Sequence, residues 1–368
     1  MKKLIKRLLL LACLYATPSH AIDLGAKYHI LMDYDTKEIL SEKDAHISTA
    51  PSSMSKLMTS YIIFERLKNK EVALTDEVLI SAEAWRKQGS KMFVQVDTKV
   101  KLEDLIMGMV VQSGNDATIA IAEFCAGSES AFAEVMNEKA TELGLANSHF
   151  MNSTGWPDEN HLMSAYDIAI LSKRLIEDFP EYYHYFSQKE FFYNEIKQYN
   201  RNSLLYSEPS VDGLKTGRTD AAGYGVATSA KKEGRRLIAV VNGCNTNSAR
   251  EQDTKTLLGY GFNSFVNIEI AKTGDVLANV NLHDGSDKII PLKVNSDLLF
   301  TVKRLNSPKI NVKLIYKDPI VAPVKESDVI AKIMIEGIKD EPFSVDIIAD
   351  RDYEEAGLLT KILRKFSL

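Results

Sequence analysis

Residues 53–67 carry the feature that most limits how this chain folds. Met54, Leu57, Met58, Tyr61, Ile62, Ile63 and Phe64 recur so densely that a helix here is apolar nearly all round. Pro51-Ser52 marks where it starts. Such a helix finds no place on a surface and must lie in the middle of a domain, with other elements packed against every side. The chain has 368 residues, enough for two or three domains, so the question becomes what surrounds this helix and what is left over.

The surroundings read as mixed. Lys27 to Tyr34 alternates like a strand, Asp35-Thr36-Lys37 reads as a turn, and Glu38 to Leu40 pairs back as a hairpin. Leu102–Val111, Asp116–Ala126 and Ala131–Leu143 have helical spacing, with Gly127 and Gly144 as stops, and Ser164 caps a further helix to about Glu177. Gly223–Ala230 and Arg235–Asn242 form a hairpin about a Lys231–Gly234 turn, followed by a helix over about 249–259. The expectation for residues 22–267 is therefore an α+β domain, a sheet with a helical cluster set against it. From Ile268 the texture changes. Val276–Val280, Lys288–Val294, Leu298–Val302, Ile310–Ile315, Val329–Ile335 and Phe343–Ile348 recur at strand-like intervals, which predicts a small all-β domain over 268–349. The remainder, 350–368, reads as an amphipathic helix from Tyr353. Leu358, Leu359, Ile362, Leu363 and Phe366 share one face, and Lys361, Arg364 and Lys365 lie toward the other. It is too short and charged to span a bilayer and suits the plane of the headgroups; the competing reading is a terminal helix packed on its own protein.

The first 21 residues read as a secretory signal outside the fold. Lys2, Lys3, Lys6 and Arg7 precede a short apolar run, Pro18 breaks it, and Ser19-His20-Ala21 places small residues where a signal peptidase reads. Lipoprotein processing at Cys13, after Leu10-Leu11-Ala12, is the alternative. Removing residues 1–21 moves the formal charge from −5 to −9, an acidic balance that excludes nucleic acid as a partner. An oxidising compartment would permit a bridge between Cys125 and Cys244, but two isolated cysteines read as small buried apolar residues. The His residues are scattered without metal-ligand spacing, so neither metal nor other cofactor is expected.

Three short motifs carry chemistry: Ser53-Met54-Ser55-Lys56, Ser113-Gly114-Asn115 and Lys215-Thr216-Gly217. Each is weak alone; their order and context make the case. Residues three apart on a helix share a face, so the Ser53 hydroxyl lies within reach of the Lys56 amine. A serine hydroxyl needs a base, and a lysine serves only when neutral. Apolar surroundings, the positive end of the helix and a nearby Lys215 ammonium would all favour the neutral amine. Ser113 can shuttle a proton and Asn115 can hold substrate or Lys56. A strand through Gly217 admits a peptide edge-on, while Lys215, Thr216 and Arg218 offer charge and a hydroxyl to a carboxylate.

These motifs and their flanks resemble the low-molecular-weight penicillin-binding proteins of D-alanyl-D-alanine carboxypeptidase type, peptidase family S11. The matching text is Pro51 to Thr59, Val111 to Ala117, Asn200-Arg201-Asn202, and Val211 to Gly217. The resemblance implies a catalytic domain of the serine β-lactamase/DD-peptidase fold, with Ser53 attacking the D-Ala-D-Ala bond of a peptidoglycan stem pentapeptide and Lys56 as base. It implies an oxyanion held by the backbone N–H groups of Ser53 and Arg218, and inhibition by β-lactams that acylate the same serine. Arg201, Arg218 and Arg250 match basic positions near the family's cleft, although Arg201 and Arg250 also read as arginines without a role. Arg218 stands where many relatives carry His. The implied setting is the periplasm, at the outer face of the inner membrane, with the C-terminal helix on the membrane surface. A class A β-lactamase would need Glu-x-x-Leu-Asn, and Trp156 to Leu162 does not match it. A DD-endopeptidase that cuts cross-links, and a catalytically silent cell-wall binding protein of the same fold, remain as alternatives.

Overall fold

The computed structural model describes residues 22–306 and 309–366. The signal expected over residues 1–21, with its Cys13 alternative, lies outside them. A five-stranded antiparallel sheet organises the first domain: β1 (Tyr28–Asp33), β2 (Ile39–Lys43), β3 (Val211–Thr219), β4 (Gly223–Lys232) and β5 (Arg235–Cys244), in the order β2-β1-β5-β4-β3. Strand β5 is apolar without alternation because both its faces are covered. Ile238 and Val240 join the core on one side, and Leu237, Ala239 and Val241 the core on the other.

The larger core holds α1 (Lys56–Lys68), in which every residue from Lys56 to Phe64 is buried, as its all-round apolar pattern requires. Around it pack α2 (Leu102–Val110), α3 (Asn115–Ala126), α4 (Glu129–Glu142) and α5 (Ala165–Asp178). Gly127 ends α3 in the left-handed region, and Ser164 caps α5 by accepting from the Asp167 N–H. Helix α6 (Asn247–Ser264), capped by Thr246, covers the opposite face. Cys125 and Cys244 are both free and buried.

The second domain is all-β. Strands β6 (Phe265–Ala271), β7 (Val276–His283), β8 (Ile289–Lys293), β9 (Leu298–Lys303), β10 (Asn311–Tyr316), β11 (Ile320–Val321), β12 (Val329–Glu336) and β13 (Phe343–Ile348) form three small sheets, β6-β9, β8-β7-β11 and β10-β12-β13. Ile290, Leu292, Ile333, Ile335 and Ile347 fill its interior. A polar seam joins the domains. Asp33, at the end of β1, accepts from Arg235 Nε at 2.7 Å and Asn267 Nδ2 at 3.1 Å, while Thr36 meets the Thr301 hydroxyl at 2.6 Å.

The expected helix over 350–368 is shorter. Among the described residues of that stretch, only α7 (Leu358–Phe366) is helical. Tyr353 belongs to the β domain: it is 1% exposed, exchanges backbone hydrogen bonds with Val324 and donates its hydroxyl to Asp350. A large aromatic with a reachable acceptor gains more by filling the end of that core than by extending an exposed helix. Leu358, Leu359 and Ile362 are exposed, so these three apolar side chains are not covered by the described part of the protein. Among the described residues no helix is long and apolar enough to cross a membrane.

Candidate active site

The Ser-x-x-Lys segment differs from the expected helix in one respect. Ser52–Ser55 is a 3-10 turn and α1 begins at Lys56. The chain enters this turn through Ser52 in the left-handed region, at φ +52°. Ser53 and Lys56 remain one turn apart, and Lys56 Nζ lies 3.1 Å from Ser53 Oγ.

Lys56 is fully buried and has two further partners, Asn115 Oδ1 at 2.8 Å and the Thr154 carbonyl at 2.6 Å. Asn115 Nδ2 donates to the Gln88 carbonyl, so its Oδ1 is an acceptor only. Two obligate acceptors therefore take the two N–H groups of a neutral amine. The third direction, toward Ser53, is left to the nitrogen lone pair. Burial lowers the Lys56 ammonium from 10.5 to about 7; Glu129 opposes that shift and Arg201 adds to it. Burial, the first of the effects expected from the sequence, is thus the leading cause, and Arg201 rather than Lys215 is the leading cation.

The Lys-Thr-Gly motif lies on β3, which packs directly on the 3-10 turn. Gly217 makes that approach possible: a Cβ there would stand 2.8 Å from the Pro51 carbonyl oxygen and 3.2 Å from Ser52 Cβ. Lys215 is buried, with Nζ 3.2 Å from the Thr216 carbonyl. Burial drives its ammonium well below the usual range, and the charges that push it further are those of Lys56, Arg201 and Arg250. Arg250 is buried on α6, and its Nη2 donates to the Arg201 carbonyl. This concentration of cations suits an incoming carboxylate. The Arg218 side chain is turned elsewhere, paired with Asp220 at 2.9 Å and lying over the Tyr224 ring. Beside the turn opens a cavity of about 400 Å³, lined by Pro51, Ser52, Gly155, Trp156, Thr219 and Ala221 among others.

Ser113 is buried at φ +64° where the chain reverses between α2 and α3, and Lys56 makes no hydrogen bond to it. Asn115 carries the direct link instead. Next to it, Asp116 accepts from the Met92 and Phe93 N–H groups, tying that loop to the start of α3.

The sequence reading missed Thr154, Gly155 and His161. Gly155, at φ +76°, has a Cβ position only 1.8 Å from the Ser52 carbonyl oxygen, so no other residue fits behind the Ser52–Ser55 turn. His161 is buried and its Nε2 lies 2.7 Å from Ser55 Oγ. A Gly after a Thr in an otherwise polar loop was the only signal available for this segment.

A serine paired with a buried, neutral-leaning lysine, facing the edge strand of a five-stranded sheet and followed by an all-β domain, defines a penicillin-binding protein. The family model described as D-alanyl-D-alanine carboxypeptidase matches residues 15–246, and the model of the penicillin-binding protein 5 C-terminal domain matches 265–355. D-alanyl-D-alanine carboxypeptidase DacA of Haemophilus influenzae is 35% identical over 343 residues, covering 92% of this chain and 87% of its own. The crystal structure of penicillin-binding protein 5 from the same organism superposes with a TM-score of 0.84 at 34% identity, over 91% of this chain and 99% of that one. Penicillin-binding protein D2 of Listeria monocytogenes in its ampicillin-bound form matches at a TM-score of 0.61 and 28% identity, over 66% of this chain and 99% of that one. The chain belongs to peptidase family S11, the D-alanyl-D-alanine carboxypeptidases.

Proposed function

We propose that the chain is a serine-type carboxypeptidase that removes the terminal D-alanine of peptidoglycan stem pentapeptides through an acyl-enzyme on Ser53. The observation that carries this reading is the Lys56 amine 3.1 Å from the Ser53 hydroxyl, with the Asn115 and Thr154 oxygens as its other partners, in a buried site that lowers its ammonium to about 7. Lys56 takes the Ser53 proton as Oγ attacks the D-Ala-D-Ala carbonyl. The backbone N–H groups of Ser53 and Arg218 receive the oxyanion. Lys215, Thr216, Arg201 and Arg250 hold the terminal carboxylate, and Gly217 lets the peptide lie against β3. The departing amine recovers the proton from Lys56, with Ser113 as relay once substrate draws its hydroxyl in. Water then releases the acyl group.

Penicillins, which mimic the dipeptide, acylate the same hydroxyl. The exposed stripe of Leu358, Leu359 and Ile362 supports a peripheral seat on an anionic membrane, at the outer face of the inner membrane, with the β domain as spacer. Intact-mass analysis after incubation with penicillin, followed by peptide mapping, tests the core of the reading. One adduct on Ser53, lost in Ser53→Ala, is the expected result; undiminished labelling of that variant overturns it. Releasing D-alanine from a pentapeptide but not cleaving a cross-linked dimer separates the carboxypeptidase from an endopeptidase.

A further inference from the structure

His161 has no place in the steps above, yet it is the most deeply seated imidazole near them, 2% exposed and set edge-on against Phe150. Its tautomer follows from its neighbours. The Met151 N–H donates to Nδ1 at 3.1 Å, so Nδ1 carries no proton. Burial lowers the imidazolium to about 4, so the ring is neutral at working pH and Nε2 carries the single N–H. That N–H donates to Ser55 Oγ at 2.7 Å. With its lone pair engaged, the Ser55 hydroxyl directs its own hydrogen to the Ser52 carbonyl oxygen, 2.9 Å away.

The Ser52 carbonyl and the Ser53 N–H belong to one planar peptide unit and point in opposite directions. A hydrogen bond to that oxygen therefore aims the N–H on the other side, and it polarises the amide so that this N–H becomes a stronger donor. We propose that His161 is a positioning residue for the oxyanion hole, acting through Ser55 and the Ser52–Ser53 peptide unit. The chain runs from His161 Nε2–H to Ser55 Oγ–H, to Ser52 C=O, and through the amide to the Ser53 N–H that faces the developing negative oxygen. Gly155 packs against the same carbonyl: a Cβ there would stand 1.8 Å from the Ser52 oxygen and 2.9 Å from Ser55 Oγ, which limits how far the peptide unit can turn. The inference rests on Ser53 being the nucleophile.

The contribution of such a chain appears when the oxyanion forms and not when the ligand first binds. The test uses the full chain and a chromogenic cephalosporin, separating the encounter dissociation constant from the acylation rate constant by stopped flow. His161→Phe keeps the ring and its packing but has no nitrogen; Ser55→Ala removes the middle link. Each is expected to slow acylation about 10-fold, part of what a whole oxyanion donor supplies, with the encounter constant unchanged. The double variant should be no slower than Ser55→Ala alone, because the two residues act in series. His161→Gln, which restores an N–H donor, should recover most of the rate, and the affinity for a boronic acid analogue of D-alanine should fall by the same factor as the rate. Wild-type acylation rates in His161→Phe and Ser55→Ala, multiplicative losses in the double variant, or a loss confined to the encounter constant would each overturn the proposal. Should His161→Phe fail to fold, Ser55→Ala and His161→Gln carry the test. An adduct mapping away from Ser53 in the wild type would instead sink the functional reading itself.

Discussion

The rate of acylation should follow the ionisation of Lys56, and the structure says how its midpoint moves. A lysine at 10.5 is neutral in only a few molecules per ten thousand at pH 7; one lowered to about 7 is neutral in half. Burial thus raises the reactive population roughly 10³-fold. The neutral amine is the base, so the rate rises about tenfold per pH unit below that midpoint and levels off above it. Two substitutions move the midpoint in opposite directions. Glu129 is the leading charge that raises the Lys56 ammonium, and it accepts from the Ser153 N–H and hydroxyl at 3.1 and 2.6 Å. Glu129→Gln keeps an acceptor there and removes the charge, so the midpoint falls. Arg201 is the leading cation that lowers it, so Arg201→Met raises the midpoint. The assay is the second-order acylation rate constant from pH 5 to 9, measured with a fluorescent penicillin. A flat profile, or midpoints displaced in the same direction in both variants, would refute a lysine base made reactive by burial.

Gly217→Ala places a methyl group against the Pro51 carbonyl and Ser52, which drives β3 off the Ser52–Ser55 turn. A displacement near 1 Å slows acylation on the order of 100-fold, while circular dichroism stays that of the folded protein. Asp33→Ala removes a fully buried carboxylate and strands the Arg235 guanidinium, whose Nη1 is tied to the Gly261 and Phe265 carbonyls. Urea titration should show a loss of about 3–5 kcal/mol, with a first transition that loosens the contact between the domains. Deleting 358–368 should abolish co-sedimentation with anionic vesicles and leave the acylation rate untouched; a truncated chain that still sediments would assign the membrane contact elsewhere.

How much of this molecule was legible in its sequence depends on whether a residue acts through its own local pattern or through a distant partner. Helix α1 was readable because a run apolar on every side has one physical solution, burial, and Lys56 to Phe64 are buried. The hairpin of β4 and β5 and the stops at Gly127 and Gly144 were readable because they follow from neighbouring residues. The Ser53–Lys56 pair was readable for the same reason, since three residues of coil fix their distance whether the turn is 3-10 or α. What escaped were the partners that meet only in space. Thr154 holds Lys56 across 98 positions and His161 holds Ser55 across 106, and no periodicity links residues so far apart. The start of α7 was misplaced for a related reason. The amphipathic reading starts at Tyr353, yet Val324 and Asp350 offer that residue backbone and hydroxyl partners in the β domain, and a filled core with satisfied polar groups outweighs helical propensity in an exposed tail. The Ser53–Lys56 pair is thus a local device set in a non-local frame: spacing places the amine beside the hydroxyl, but the Thr154 carbonyl and Asn115, delivered by other parts of the chain, are the acceptors that hold the amine in that place.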